Sequence, residues 1–217
     1  TSIILVLFSI SFSQATILLS TPNEIYNLGD VLEQKVTVTR TQNFDGFLRV
    51  NLVCNSQEHL MYFSPVNIEK DREKQVNINF PVDVVGLCNV KATLEQKQKI
   101  ITEEEGTAAF LLTDEVDLNV NLNKEKFLPG EKLVINGRAV KANGKNLEGF
   151  VTVKFGDKNF SVVVSGTFSH IINLEPSIKS GEHNIKIDVS DNYNNKASSE
   201  LNIEIETVPS ALLLEVN

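Results

Sequence analysis

The sequence contains no tryptophan, one methionine, two cysteines and three histidines among its 217 residues. It has no apolar run of the roughly 20 residues that a helix needs to cross a bilayer, which argues against an integral membrane protein. Acidic residues outnumber basic ones by 28 to 20, and a formal charge of −8 argues against nucleic-acid binding, which needs a basic face. Without tryptophan and with only three tyrosines to stack on sugar rings, a carbohydrate-binding module is a weaker hypothesis.

The sequence also lacks the residue patterns of common catalytic and metal sites. Its histidines, His59, His170 and His183, are far apart and show no HExxH or HxH spacing, so no zinc site is predicted. There is no GxSxG nucleophile elbow, and the adjacent Ser169 and His170 would face opposite sides of a strand. We therefore predict no catalytic residue, no metal ligand and no cofactor in this chain.

Three polar segments need a structural interpretation. Asn143-Gly144-Lys145 lacks the rest of a phosphate-binding loop and is interpreted as a turn. The side-chain oxygens of Asp191-Asn192-Tyr193-Asn194-Asn195 would suit calcium, but Asx side chains commonly bond the backbone of a polar turn, which is the interpretation we favour. Glu103-Glu104-Glu105 is interpreted as a solvated hairpin between the last two strands of a first domain, with a ligand-recognising loop as the alternative.

The composition is that of a folded globular protein. Hydrophobic residues make up 41% of the chain and charged residues 22%, with a mean hydropathy of −0.06. These values argue against a disordered or collagenous chain. The length suits one large domain or two domains of about a hundred residues each.

An internal repeat favours two domains. Tyr26-Asn27-Leu28-Gly29-Asp30 and Phe127-Leu128-Pro129-Gly130-Glu131 lie 101 residues apart. Both place an aromatic residue three positions before a glycine and an acidic residue directly after it. Glycine accepts a positive φ, so each segment predicts a turn between two strands. A period near 100 residues is too long for a solenoid and indicates tandem domains.

Each repeat contains short apolar runs with period-two alternation, separated by turn residues. No segment shows a sustained helical period with caps. The fold class predicted is therefore all-β, with two tandem seven-stranded Ig-like β-sandwiches. The predicted strands are 16–20, 31–40, 46–54, 58–63, 74–80, 87–95 and 106–113 in the first repeat, and 116–122, 131–140, 149–155, 159–164, 167–174, 183–189 and 198–206 in the second.

Three segments of the second repeat carry a family resemblance. They are Phe127-Leu128-Pro129-Gly130-Glu131, Ser180-Gly181-Glu182-His183-Asn184-Ile185-Lys186-Ile187 and Asp191-Asn192-Tyr193-Asn194-Asn195. Together they resemble the Ig-like, macroglobulin-like repeats of prokaryotic cell-surface or secreted proteins. The likeness covers 116–206 well and the first repeat loosely. It implies a β-sandwich and assigns no functional residue; His183 stands where such repeats often carry tyrosine, so a tyrosine-corner hydrogen bond is not implied.

The two cysteines predict a disulfide bond. Cys54 ends the predicted strand 46–54, and Cys88 lies at the start of 87–95. In an Ig-type sandwich these strands are antiparallel neighbours in one sheet, and the alternation puts both cysteines on the same face. In a secreted protein such a pair would be oxidised. Two free buried thiols and metal ligation remain as alternatives.

The two ends of the sequence complete the predicted domain organisation. Residues 1–15 are uncharged and largely apolar, and Ser13-Gln14-Ala15 offers small residues at the −3 and −1 positions that a signal peptidase recognises. We predict a truncated signal peptide over 1–15, with a buried first strand as the alternative. Ig-like sandwiches are predicted at 16–115 and 116–207, and 208–217 is predicted to be a linker and the first strand of a truncated third repeat.

These features predict a non-catalytic structural or adhesive segment of a larger secreted or cell-surface protein. Its expected partners are other surface proteins or glycans, not nucleic acid, and it would reach a membrane only through an anchor outside this chain. The alternative is an accessory region of a secreted enzyme, a protease or glycan hydrolase, whose catalytic domain lies elsewhere. The one sequon, Asn159-Phe160-Ser161 at a predicted hairpin, makes Asn159 a candidate glycosylation site.

Overall fold

A computed structural model describes residues 15–96 and 99–207. All regular structure in this part of the chain is β-strand, which confirms the predicted all-β class. No described helix is long and apolar enough to cross a membrane. The signal peptide predicted at 1–15 lies outside the described residues except for Ala15, and the linker and third-repeat strand predicted at 208–217 lie outside them entirely.

The chain divides into two compact units. The first contains the described residues up to Glu24 together with Asp30–Leu112, and the second contains Ile25–Gly29 and the residues from Thr113 onward. The predicted domain bounds, 16–115 and 116–207, stay a prediction. The repeat gave no indication that five residues of the first copy group with the second unit.

The first repeat forms nine strands instead of the seven predicted. They are β1 (Ala15–Leu19), β2 (Ile25–Asn27), β3 (Val31–Arg40), β4 (Phe44–Cys54), β5 (Gln57–Ile68), β6 (Glu73–Pro81), β7 (Gly86–Gln96), β8 (Lys99–Gly106) and β9 (Phe110–Thr113). In the first unit, β1, β3 and β6 form one sheet. β5, β4, β7 and β9 lie side by side in the other, with β8 also paired to β7.

The core of the first unit is formed by alternate side chains of its strands. In β3 every second side chain, from Leu32 to Arg40, is buried. Between them, Glu33 and Lys35 are exposed and Thr37 and Thr39 are half-buried. β4 and β7 also bury alternate side chains along one face of each strand. The buried apolar side chains of these three strands are Leu32, Val36, Val38, Phe44, Leu48, Val50, Leu52, Val90, Ala92 and Leu94.

The predicted strand 106–113 is wrong, because the chain breaks there into the end of β8 and the whole of β9. Thr107 sits at the break: its backbone N–H donates to the carbonyl of Val90 at 2.9 Å, and its hydroxyl accepts from the Val90 N–H at 3.0 Å. The predicted hairpin at Glu103-Glu104-Glu105 is corrected as well, because these residues lie within β8. Glu103 is half-buried and forms an ion pair with the buried Arg40 at 3.4 Å.

The second unit matches the strand prediction more closely. Its remaining strands are β10 (Val116–Leu122), β11 (Lys126–Phe127), β12 (Lys132–Lys141), β13 (Glu148–Phe155), β14 (Lys158–Ser165), β15 (Thr167–Asn173), β16 (Gly181–Ser190) and β17 (Lys196–Ile205). Only β11 was not predicted, because two residues are too few for alternation to be visible.

One continuous path of strands, β10-β12-β15-β14-β13-β16-β17-β11, makes up the second sandwich. The path turns at Gly166, where φ is +71° and β14 and β15 pair only through Ser165 and Thr167. β10, β12 and β15 therefore form one layer, and the other strands form the second. The buried core lies between the layers and contains Phe127, Leu133, Ile135, Ala139, Val151, Val153, Ile185, Ile187, Val189 and Ile203.

Candidate functional site

Cys54 and Cys88 are joined by a disulfide bond, as the sequence predicted. They lie directly opposite each other on β4 and β7, with their Cα atoms 4.1 Å apart. Both are buried in the core of the first unit. Free thiols and metal ligation, the two alternatives, are therefore wrong. The bridge joins neighbouring strands of one sheet and does not connect the two sheets.

The turn that follows β16 is organised by the carboxylate of Asp191. One oxygen, Oδ1, accepts from the backbone N–H groups of Tyr193 at 2.8 Å and Asn195 at 3.0 Å. The other, Oδ2, accepts from the Asn195 side-chain amide at 2.8 Å and lies 2.7 Å from the Lys141 ammonium. These bonds confirm the interpretation of 191–195 as a polar turn. Within residues 15–96 and 99–207, no group of three or more His, Cys, Asp or Glu side chains could hold a metal ion.

A pair of fully buried asparagines extends this network within the second unit. The Asn27 amide nitrogen donates to Asn195 Oδ1 at 3.1 Å and to the carbonyl of Glu115 at 2.9 Å. Asn27 Oδ1 accepts from the Asn143 N–H at 3.0 Å, and Asn195 Nδ2 also donates to the carbonyl of Leu28 at 2.9 Å. Because buried amides are costly unless bonded, these hydrogen bonds offset the burial of both side chains. The buried polar cluster is defined by Asn27, Lys141, Asp191 and Asn195.

Gly29 completes the surroundings of the buried polar cluster. Its φ is +84°, and a Cβ added there would lie 2.2 Å from Cγ of Tyr193. The Lys141 ammonium lies 5.8 Å from the centroid of the Tyr193 ring. Gly130, at the same position of the second repeat, has a φ of +87° but no atom within 4 Å of an added Cβ. Both positive φ values confirm the predicted turns, and only Gly29 is also required for close packing.

The ionisation of Asp191 depends on this surrounding network. Burial by itself would raise the pKa of Asp191. The hydrogen bonds from Lys141 and Asn195, together with those from the backbone N–H groups of Tyr193 and Asn195, outweigh burial and lower the pKa below its ordinary value. The carboxylate is thereby held in its charged form by groups of the same unit.

One difference between the two repeats could have indicated the buried polar cluster. In the repeat alignment Asn27 corresponds to Leu128, so the two copies differ in polarity at this position. Leu128 is 40% exposed, whereas Asn27 is fully buried. A polar residue that replaces an apolar one next to a shared turn could have indicated a specific buried partner. It could not have identified Asn195, which is 168 residues away.

The three histidines occupy separate places in the structure. His59 lies in β5, and His170 in β15 packs against Phe160 with ring centroids 4.9 Å apart. His183 Nε2 lies 2.7 Å from the carbonyl oxygen of Lys179, four residues upstream. Because a carbonyl oxygen only accepts, Nε2 must carry the proton of this bond. The histidine therefore makes a bond back to the backbone like that of a tyrosine corner, which its residue type did not imply.

A cavity of about 330 Å³ lies beside His183 in the second unit. The buried side chains of Phe155, Ile172 and Leu174 contribute apolar surface to it. Lys158 and Glu175, which form an ion pair, also line it. Its volume lies at the lower end of the range for small-molecule sites.

Asn159 is exposed at the start of β14, directly opposite Lys154 of β13. Ser161 is exposed on the same face, two residues along the strand. The sequon therefore lies on a hairpin, as predicted, and its glycosylation stays a prediction. Asn143-Gly144-Lys145 forms the predicted turn between β12 and β13, with a φ of +84° at Gly144.

No family model matches this chain, and no curated protein matches its sequence. Among solved structures, a β-glucosidase from Listeria innocua in complex with glucose is 18% identical, with a TM-score of 0.34 over 46% of this chain. The match spans 17% of the length of that enzyme. The CARDB domain of a Pyrococcus furiosus protein, in complex with di-metal ions, is 13% identical, with a TM-score of 0.37 over 48% of this chain and 90% of that one. These likenesses assign neither a family nor a function.

Proposed function

We propose that this chain is a non-catalytic structural segment of a secreted or cell-surface protein, which carries tension between the parts attached to its ends. The single observation that carries the proposal is the pairing of β11 with β17 in the second unit. β11 follows β10 near the start of the part of the unit that is continuous in sequence, and β17 is the last strand that the structure describes. The two strands run parallel to each other.

Parallel strands at the two ends of a unit resist stretching because tension loads their hydrogen bonds in shear. The N–H of Glu204 donates to the carbonyl of Glu125 at 2.9 Å, and the N–H of Glu206 donates to the carbonyl of Phe127 at 2.9 Å. Lys126 and Glu204 add an ion pair at 2.7 Å. Pulling the ends of the unit apart displaces these strands past each other, so the bonds must break together.

The disulfide bond supports both the compartment and the mechanical role. Disulfides persist in oxidising compartments, which favours secretion or display at a cell surface. The Cys54–Cys88 bridge also prevents the loop between the two cysteines from extending, because its ends are covalently joined. The expected partners of the chain are other surface proteins or glycans.

Force spectroscopy on single molecules tests the mechanical proposal. Glu206→Pro removes the N–H that bonds the Phe127 carbonyl, whereas the control Glu206→Ala keeps it. The proline variant should unfold its second unit at lower force, and the alanine variant should match the wild type. Equal forces for all three proteins would contradict the proposal, and so would hydrolysis of a glycan or peptide by the purified chain.

A further inference from the structure

We propose that Asn143 is a site of spontaneous deamidation and that its modification loosens the buried polar cluster. Asn143 and Gly144 lie in the turn between β12 and β13, where Gly144 is exposed and has no atom within 4 Å of an added Cβ. The Asn143 side chain folds over the chain that follows, since Oδ1 accepts from the Lys145 N–H at 3.0 Å. Three atoms separate Cγ of Asn143 from the Gly144 nitrogen, so a bond between these two atoms closes a five-membered ring.

The reaction needs only water and base. The Gly144 nitrogen loses its proton and attacks Cγ of Asn143, forming a five-membered succinimide, and the side-chain nitrogen leaves as ammonia. Water then opens the ring at either carbonyl and gives aspartate or isoaspartate. The Gly144 N–H bond to the Lys141 carbonyl, 2.8 Å long, must first open, which an exposed turn allows. Glycine offers no Cβ to hinder the attack.

The chain contains a second Asn-Gly pair that serves as an internal control. Asn136 and Gly137 lie inside β12, where Asn136 is paired with Asn121 on one side and Ser169 on the other. The ring of Phe168 covers Gly137, since an added Cβ would lie 2.2 Å from its Cζ. The two ladders fix this peptide in an extended form. The Asn136-Gly137 pair therefore cannot readily adopt the geometry in which the succinimide ring closes.

Modification at Asn143 would reach the buried polar cluster through the backbone. The Asn143 N–H donates to the buried Asn27 Oδ1 at 3.0 Å. Isoaspartate adds a methylene to the main chain at this residue and a negative charge to the turn. Either change displaces the donor, so Asn27 loses a bond in a place that water does not reach.

Peptide mapping by mass spectrometry tests the site. The full chain is incubated at mildly alkaline pH, folded or in urea, and isoaspartate is quantified with isoaspartyl methyltransferase. In the folded chain Asn143 should react at least about tenfold faster than Asn136, which corresponds to about 1.4 kcal/mol in barrier height. In urea both should react at similar rates. Equal deamidation rates at Asn143 and Asn136 in the folded chain would overturn the proposal.

The consequence is tested on the same samples. Asn143→Gln keeps the backbone N–H and a side-chain amide but forms the cyclic intermediate much more slowly. Aged wild-type protein should show a lower melting temperature for its second unit, while aged Asn143→Gln should not change. If wild-type protein that is deamidated at Asn143 keeps its melting temperature, the link to the buried polar cluster is wrong.

Discussion

The side-chain amide of Asn27 donates to the side-chain oxygen of Asn195 at 3.1 Å, and neither residue is exposed to solvent. The two residues are 168 positions apart in the sequence. Asn27 lies in the five-residue segment Ile25–Gly29, which belongs to the first repeat in the sequence and groups with the second unit. The boundary of the sequence repeat and the boundary of the folded unit are therefore different.

Replacing Asn27 by alanine should destabilise the second unit. The change removes the donor to Asn195 and the acceptor of the Asn143 N–H in a buried place. The cost expected for unsatisfied buried groups is about 1–3 kcal/mol. Chemical denaturation measures it. Asn192→Ala, in the exposed part of the 191–195 turn, is the control and should have little effect; equal losses would argue against the network.

The two repeat glycines should differ in their tolerance of alanine. At both positions alanine must adopt a positive φ, which costs roughly 1–2 kcal/mol. At Gly29 the new Cβ also meets the ring of Tyr193, whereas at Gly130 it meets nothing. Gly29→Ala should therefore lower the melting temperature more than Gly130→Ala. Adding Tyr193→Ala should remove much of the excess, and no such rescue would mean that packing is not its cause.

Acid should destabilise the second unit through Asp191. Its pKa in the folded unit lies below the ordinary value, so its contribution to stability is fully present above the unfolded pKa of about 3.9. This contribution is lost as the pH falls through the folded pKa. Melting curves between neutral pH and about pH 2 should show the loss, and Asp191→Asn should show a smaller one. Identical pH profiles for both proteins would contradict the assignment.

Local alternation and strand order predicted much of this fold, and long-range polar contacts account for what was missed. Cys54 and Cys88 were paired correctly because strand order and alternation suffice to place them on neighbouring strands. The break at Thr107 was missed because its hydrogen bonds are to Val90, on another strand. The role of Asn27 was missed for the same reason, since period-two patterns contain no information about a distant partner.

Glycosylation at Asn159 should be tolerated by the folded second unit. The side chain is exposed at the start of β14, on the same face as the exposed Ser161. Secretion from a host with an N-glycosylation system should add a glycan, which Asn159→Gln and Ser161→Ala should both abolish. An unmodified secreted protein would count against the site, as would a marked loss of stability in Asn159→Gln.

The role of the chain as a tension-bearing segment is tested most directly by the extension of single molecules with and without reductant. With the Cys54–Cys88 bond intact, unfolding of the first unit should leave the loop between the two cysteines unextended. Reduction should add roughly 110 Å to that step, because the cysteines are 34 positions apart and each residue spans about 3.3–3.6 Å. The second unit should unfold at the same force and length in both conditions. An unchanged first step, or a second unit that extends at negligible force, would contradict the account.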